Sequence, residues 1–159
     1  LRRLKVPTGD ILIVDGDHGK LECLSLGDYG KLQNVKADFM GIYRPIDGVP
    51  HGELMPLTVK WVITISSQTS CQIFCKNCDV PRVGHTKNAS FNDLVNQVMI
   101  GCSLHPEITH TKRLNVHYAR MGEPTFNWEV INSAIYLAGI FKERGWGVYC
   151  SINPCSFNT

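Results

Sequence analysis

Three short strand-like runs, the first rich in β-branched residues, separated by two helix-length amphipathic segments, constrain this chain more than any other feature of its sequence. The first run, WVITI at 61–65, is bounded by Lys60 and the polar Ser66-Ser67-Gln68, as expected of a strand. After the polar stretch at 81–89, Ser90-Phe91-Asn92-Asp93 has the form of a capping box with Asp in the acidic position. Phe91, Leu94, Val95, Val98 and Met99 then recur at helical spacing, which predicts an amphipathic helix ending near Gly101. A second strand is predicted at 114–118 and runs into Met121-Gly122-Glu123-Pro124. Asn127 is placed to cap a second helix whose broad apolar face is Val130, Ile131, Ala134, Ile135, Leu137, Ala138 and Phe141, with Gly145 as its stop. A third strand is predicted at 147–152. The order β-α-β-α-β calls for a parallel sheet with right-handed crossovers, in which the loops at the carboxyl ends of the strands gather on one ligand-binding face.

Upstream of this unit the pattern changes. Residues 1–10 are basic and then turn-like. The apolar runs at 11–14 and 20–26 flank a Gly-rich connection at 15–19, which is a hairpin signal, and 27–51 is irregular with two turn clusters. We therefore expect a small β-rich N-terminal segment over 1–56 and the βα units over 57–159. At 159 residues and 17.8 kDa the chain has room for one ordinary core and not for two large domains. With 43% hydrophobic and 19% charged residues it has the composition of a folded protein. The longest nearly apolar run, AIYLAGIF at 134–141, is too short to span a bilayer. A formal charge of +2 does not by itself announce a nucleic-acid surface, and no secretory leader pattern is present, so the cytoplasm is the expected compartment.

The seven cysteines are many for that compartment, and three of them are informative. Cys71, Cys75 and Cys78 form C-x3-C-x2-C on the loop directly after the first predicted parallel strand, while Cys23, Cys102, Cys150 and Cys155 are scattered. Three soft thiolates on one loop point to a metal. Zinc would need a fourth ligand, for which His85 is available, but structural zinc sites usually come as two separated pairs. An iron–sulfur cluster held by three protein thiolates, with one iron left for another ligand, fits the triplet better.

C-x3-C-x2-C directly after the first strand of a parallel βα unit resembles the signature of the radical S-adenosylmethionine (radical SAM) enzymes. Ile63-Thr64-Ile65-Ser66-Ser67-Gln68 before Cys71, and Met121-Gly122-Glu123-Pro124 with Asn127 after the second strand, are similar to the RlmN-type adenine C2-methyltransferases of ribosomal and transfer RNA. The resemblance covers about residues 57–153. It implies an α/β fold, a partial TIM-type barrel of which three βα units are visible, and a [4Fe-4S] cluster on Cys71, Cys75 and Cys78. It implies further that SAM chelates the fourth iron, that Gly122 and Glu123 meet the SAM amino group, and that Ser151 contacts SAM at the end of the third strand. Reductive cleavage of SAM to a 5′-deoxyadenosyl radical, an RNA substrate and a reductant such as flavodoxin or ferredoxin complete the expectation. The alternative is a catalytically inactive truncated remnant or a zinc-binding structural module.

Four departures qualify the resemblance. Thr64 stands where the RNA methyltransferases carry a cysteine seven residues before the first ligand, and a hydroxyl is far less acidic and less nucleophilic than a thiol. Their second extra cysteine would lie beyond Thr159. Asn77 replaces the usual aromatic before the third ligand, and Arg120 stands where these enzymes have glycine, either facing an anionic substrate or lying on a solvated edge. Three strands are half a barrel, so a further segment or another chain is expected to complete it. Among the remaining residues, His117 is placed to point into the barrel as an acid or base, whereas His105 and His110 read as surface residues. Glu53 does not match the spacing of an acidic base. Lys76, Arg82, Lys87, Lys112 and Arg113 are loop cations open to phosphate contact. Cys102, Cys150 and Cys155 read as packing residues, Cys150 lying next to Ser151, and Trp61, Trp128 and Trp146 read as core anchors.

Overall fold

The computed structural model describes residues 1–28 and 54–154. The expected turn clusters between 29 and 53, Glu53 and Cys155 lie outside the described residues.

The described strands form one six-stranded sheet in the order β1-β2-β3-β4-β5-β6. β1 (Arg2–Val6), β2 (Gly9–Gly16) and β3 (Gly19–Leu26) are antiparallel, and β3 pairs antiparallel with β4 (Trp61–Ile65). β4, β5 (Leu114–Tyr118) and β6 (Val148–Ile152) are parallel and joined by α1 (Phe91–Ser103) and α2 (Glu129–Glu143). The chain is thus mixed α/β with two complete βαβ crossovers, and its described residues form an open sheet. The sheet runs without a break from the N-terminal strands into the βα units.

The expected hairpin is present, with a tighter connection than its Gly-rich sequence predicts. Gly16 pairs with Gly19, so Asp17 and His18 alone make the turn. β1 is a correction to the turn-like reading of 1–10. Its charges hide it, because an edge strand takes charged residues that a buried strand would reject. Arg3 and Lys5 reach across to Asp10 at 2.6 and 3.1 Å, and this carboxylate is fully buried among them.

Alternation sets the two faces of the sheet. Trp61, Ile63 and Ile65 of β4 and Leu114, Val116 and Tyr118 of β5 are fully buried against the helices together with Leu94, Val98, Leu137 and Phe141. The opposite face carries the row Leu24, Thr64, His117, Ser151, one residue from each of β3 to β6 in register. α1 starts as predicted: Ser90 Oγ accepts from the Asp93 amide, and Asp93 accepts from the Ser90 amide. Its buried face is Asp93, Leu94, Gln97, Val98 and Gly101, shifted from the predicted one, with Val95 and Met99 only partly covered. α2 ends at Gly145 (φ 77°), where the Trp146 amide bonds Phe141 O in a Schellman-type closure. Its buried stripe, Val130, Ser133, Leu137 and Phe141, is narrower than predicted, and Ile131 and Ile135 are exposed. Trp61 and Trp146 stack in the core, but Trp128 is 82% exposed and is no core anchor. His105 is likewise not a simple surface residue, since its ring packs edge-on against Trp61.

Candidate functional site

The site is built where β4 and β5 end. β4 delivers the chain to Ser66, which is fully buried, and the backbone there is gripped by a side chain of α1. Gln97 Oε1 accepts from the Ser66 amide at 2.9 Å, and its Nε2 donates to Ser66 O at 3.0 Å and Asp93 O at 3.2 Å. This fully buried amide closes the backbone bonding that the sheet leaves open at the strand end. The loop after β5 is then sewn to the loop after β4. The Ser67 amide bonds Met121 O at 2.9 Å, and the Glu123 amide donates to Gln68 Oε1 at 2.9 Å. Gln68 Nε2 in turn donates to Asn88 Oδ1 at 2.8 Å.

Gly122 lies between them at φ 90°, a conformation that favours glycine. A Cβ there would stand 2.5 Å from Gln68 Cβ, so the close approach of the two loops also demands it. Glu123 is 3% exposed, and its Oε1 accepts from both the Thr125 amide (3.0 Å) and the Thr125 hydroxyl (2.7 Å). Its carboxylate is thereby fixed in orientation and caps the short 3-10 turn Pro124–Phe126. Asn127 does more than cap α2. Its Oδ1 accepts from the Glu129 amide, while its Nδ2 donates to Ser67 O at 2.8 Å and Ala89 O at 2.9 Å.

Cys71 is half-buried, whereas Cys75 and Cys78 are exposed on the loop that follows. Phe74, between them, holds a left-handed backbone (φ 54°) and is 72% exposed. Burial pushes the Cys71 thiol above its ordinary pKa; a backbone hydrogen bond at Ile73 opposes the rise, and the charges of Cys75, Cys78 and Glu123 add to it. Cys75, Cys78 and, most weakly, Glu123 are thus within electrostatic reach of Cys71. Among the described residues, no group of three or more His, Cys, Asp or Glu side chains is already drawn together as a finished metal site. The donor set nevertheless fits a thiolate-bound cluster: three soft ligands on one largely exposed loop, with an oriented carboxylate within electrostatic reach of the first of them. His85 and Asn77 are exposed.

The other predicted residues are dispersed. Ser151 lies on the open face of β6, two strands from Thr64, and its Oγ accepts from Asn153 at 3.2 Å. His117 stands between them in the same row; burial holds its pKa below the ordinary value, aided by Lys60 and Arg113 and opposed by Asp28. Cys150 lies on the helix face rather than with Ser151, its Sγ donating to Ala134 O, and burial raises its thiol pKa. Cys23 is fully buried, and burial pushes its thiol up to about 12. The loop cations do not form one patch: Lys76, Arg82 and Lys87 follow β4, while Lys112 and Arg113 precede β5 at the other end of the sheet. Arg120 faces no free edge, because its guanidinium is bonded to Glu22 of β3. Gln97 and Glu22 escaped the sequence reading, and Gln68 entered it only within the Ser66-Ser67-Gln68 run, without a role of its own. Only Gln97 left a signal, as a polar residue inside the helical repeat that carries Leu94, Val98 and Gly101.

Fold and site together define an α/β chain that presents a three-thiol loop and an oriented carboxylate at the carboxyl ends of adjacent parallel strands. The chain is similar to proteins named dual-specificity RNA methyltransferase RlmN. It is 36% identical over 76 residues to that of Helicobacter hepaticus, covering 48% of this chain and 20% of the relative. It is 34% identical over 76 residues to that of Campylobacter hominis, covering 48% and 21%. It is 27% identical over 108 residues to the probable enzyme of Mycolicibacterium paratuberculosis, covering 67% and 30%. The chain thus spans a fifth to under a third of the length of these curated relatives. No family model and no solved structure matches it. No helix among the described residues is long and apolar enough to cross a membrane.

Proposed function

We propose that this chain is the cluster- and SAM-binding part of a radical SAM enzyme of the RlmN type, acting on RNA. The observation that carries the reading is the junction of two loops: the loop bearing Cys71, Cys75 and Cys78 leaves β4, and the Gln68–Glu123 hydrogen bond ties the loop after β5, with its Thr125-fixed carboxylate, to the base of that loop. Similarity to RlmN-named proteins over about half of the chain supports it. Cys71, Cys75 and Cys78 hold three irons of a [4Fe-4S] cluster, and Gly122, Glu123 and Ser151 hold SAM. Held by these residues, the cluster would supply one-electron reduction of SAM, and SAM in turn the hydrogen-abstracting chemistry.

The chain's own residues orient and shield. Thr125 fixes the Glu123 carboxylate so that a cationic amino group meets it without reorganisation. Gly122 lets the backbone approach Gln68 closely, which holds the loop after β5 against the loop after β4. Thr64, on the open face, carries no thiol, so these residues supply SAM cleavage and hydrogen abstraction rather than a two-cysteine methyl transfer. The electron comes from a flavodoxin or ferredoxin, the setting is the cytoplasm, and a further segment or chain covers the open edge of β6. The test is anaerobic incubation of the iron- and sulfide-reconstituted chain with SAM and dithionite, followed by mass-spectrometric detection of 5′-deoxyadenosine. Formation that depends on Cys75 is expected; its absence from a chain with a full complement of cluster overturns the reading.

A further inference from the structure

We propose that the N-terminal hairpin is a working part of the SAM site, and that the Glu22–Arg120 ion pair is the positioning latch that holds the Gly122–Glu123 loop against it. The inference rests on the proposed function and concerns residues that the similarity to RlmN leaves unassigned, since Arg120 departs from the glycine of that pattern.

Three contacts bring the hairpin to the site. β3 runs antiparallel to β4 with Leu24 opposite Thr64, so the Asp17-His18 turn projects past the carboxyl end of β4, the end from which the cysteine loop departs. At its tip the Asp17 amide bonds both carboxylate oxygens of Asp93 at 3.2 Å, and Gly19 lies against Thr69, two residues before Cys71. At its middle the Glu22 carbonyl accepts from the Ser66 hydroxyl, and that same hydroxyl oxygen accepts from the Met121 amide at 3.3 Å. The Glu22 carboxylate then takes the Arg120 guanidinium through both Nε and Nη2.

Arg120 starts the segment that ends in the ligand-facing carboxylate. Its amide bonds Ile65 O at 3.1 Å, Met121 accepts from Ser67 and Gln68, and Glu123 donates to Gln68. The backbone bonds fix this segment towards β4 only. The guanidinium carries the tie further on the same side, across β4 to β3, so the segment is anchored to two strands instead of one. Glycine at 120 has no such tie, and a loop whose Gly122 already sits at φ 90° needs one more than most. The pair is partly exposed, with side chains 41% and 26% accessible, so its effect belongs to geometry more than to fold stability.

The test uses the full chain reconstituted with iron and sulfide, and measures SAM affinity by anaerobic calorimetry for wild type, Glu22→Gln, Arg120→Gln and the charge-swapped Glu22→Arg/Arg120→Glu double variant. Iron content and thermal midpoint are recorded for each. The latch predicts a SAM Kd raised about two- to fivefold in either single variant, as one lost partly exposed charge pair permits. It predicts unchanged iron, and recovery of most of the affinity in the swapped pair. Single variants that bind SAM like wild type, or that lose only thermal stability, overturn the latch and leave the proposed function standing. A wild-type chain that holds its cluster and binds no SAM overturns both.

Discussion

Replacing Gln97 by Leu tests whether the site is held together from the helix layer. Gln97 is fully buried, and Leu is of comparable volume though it branches one atom earlier, so the change leaves no large cavity, and its cost comes mainly from polar groups left without partners. The amide of Ser66 and the carbonyl of the same residue both lose their Gln97 partner, at a buried position that water does not reach. Each orphaned backbone group costs about 1–3 kcal/mol, and the gain from burying an apolar side chain instead offsets roughly 1–2 kcal/mol. The expected net loss is about 3 kcal/mol, which for a domain of this size lowers the thermal midpoint by roughly 6–12 °C. Thermal unfolding of the apo chain followed by circular dichroism reads this directly. A second readout is iron uptake, which should fall because Ser66 anchors the start of the cysteine loop. A midpoint within about 2 °C of wild type, equivalent to less than about 1 kcal/mol, would refute the claim that Gln97 carries the strand end.

Gly122→Ala should weaken SAM binding and destabilise the chain by about 2 kcal/mol or more, because the new methyl meets Gln68 at 2.5 Å in a backbone region that L side chains avoid; calorimetric titration and melting curves check both effects. Cys75→Ser should abolish the visible absorption of the reconstituted cluster while shifting the melting point of the apo chain by no more than an exposed substitution does, within about 0.5 kcal/mol. Asp10 predicts an acid limb. Burial alone would raise its pKa, but the hydrogen bonds and charges of Arg3 and Lys5 prevail and hold it below the ordinary carboxylate value. Its folded pKa being the lower, its stabilisation is complete above the unfolded pKa of about 4 and is lost as pH falls through the folded value. Melting curves between neutral and strongly acid pH should accordingly converge for wild type and Asp10→Asn at the acid end; parallel curves would refute the assignment.

Periodicity located the parallel half of the molecule well. WVITI and LNVHY are β4 and β5 at the predicted residues, because a β-branched run and an apolar/polar alternation between polar loops have few other uses. Ser90 and Asp93 fixed the start of α1 because a capping box is a local chemical unit. β1 was hidden because edge strands are written in charges, and the exposed Ile131, Ile135 and Trp128 on or beside α2 misled because apolar spacing does not say how much of a helix face finds a neighbour. The cysteine triplet and Gly122-Glu123 were legible from spacing and resemblance. Their support was not: Gln97 to Ser66, Asn127 to Ala89 and Arg120 to Glu22 join residues 31, 38 and 98 positions apart, and no local pattern encodes such pairs. His117 and Ser151 were placed correctly on strands, but only the register shows that they share a row with Thr64 on the face away from the helices.

The central claim is that Cys71, Cys75 and Cys78 hold an iron–sulfur cluster. Its most direct test is iron, sulfide and zinc analysis of the chain isolated without oxygen and reconstituted, alongside the Cys71→Ser, Cys75→Ser and Cys78→Ser variants. A cluster on these thiolates gives about four irons and four sulfides per wild-type chain, the composition of [4Fe-4S], with broad thiolate-to-iron absorption that each substitution removes. One tightly held zinc and no sulfide, or iron indifferent to all three substitutions, would contradict it.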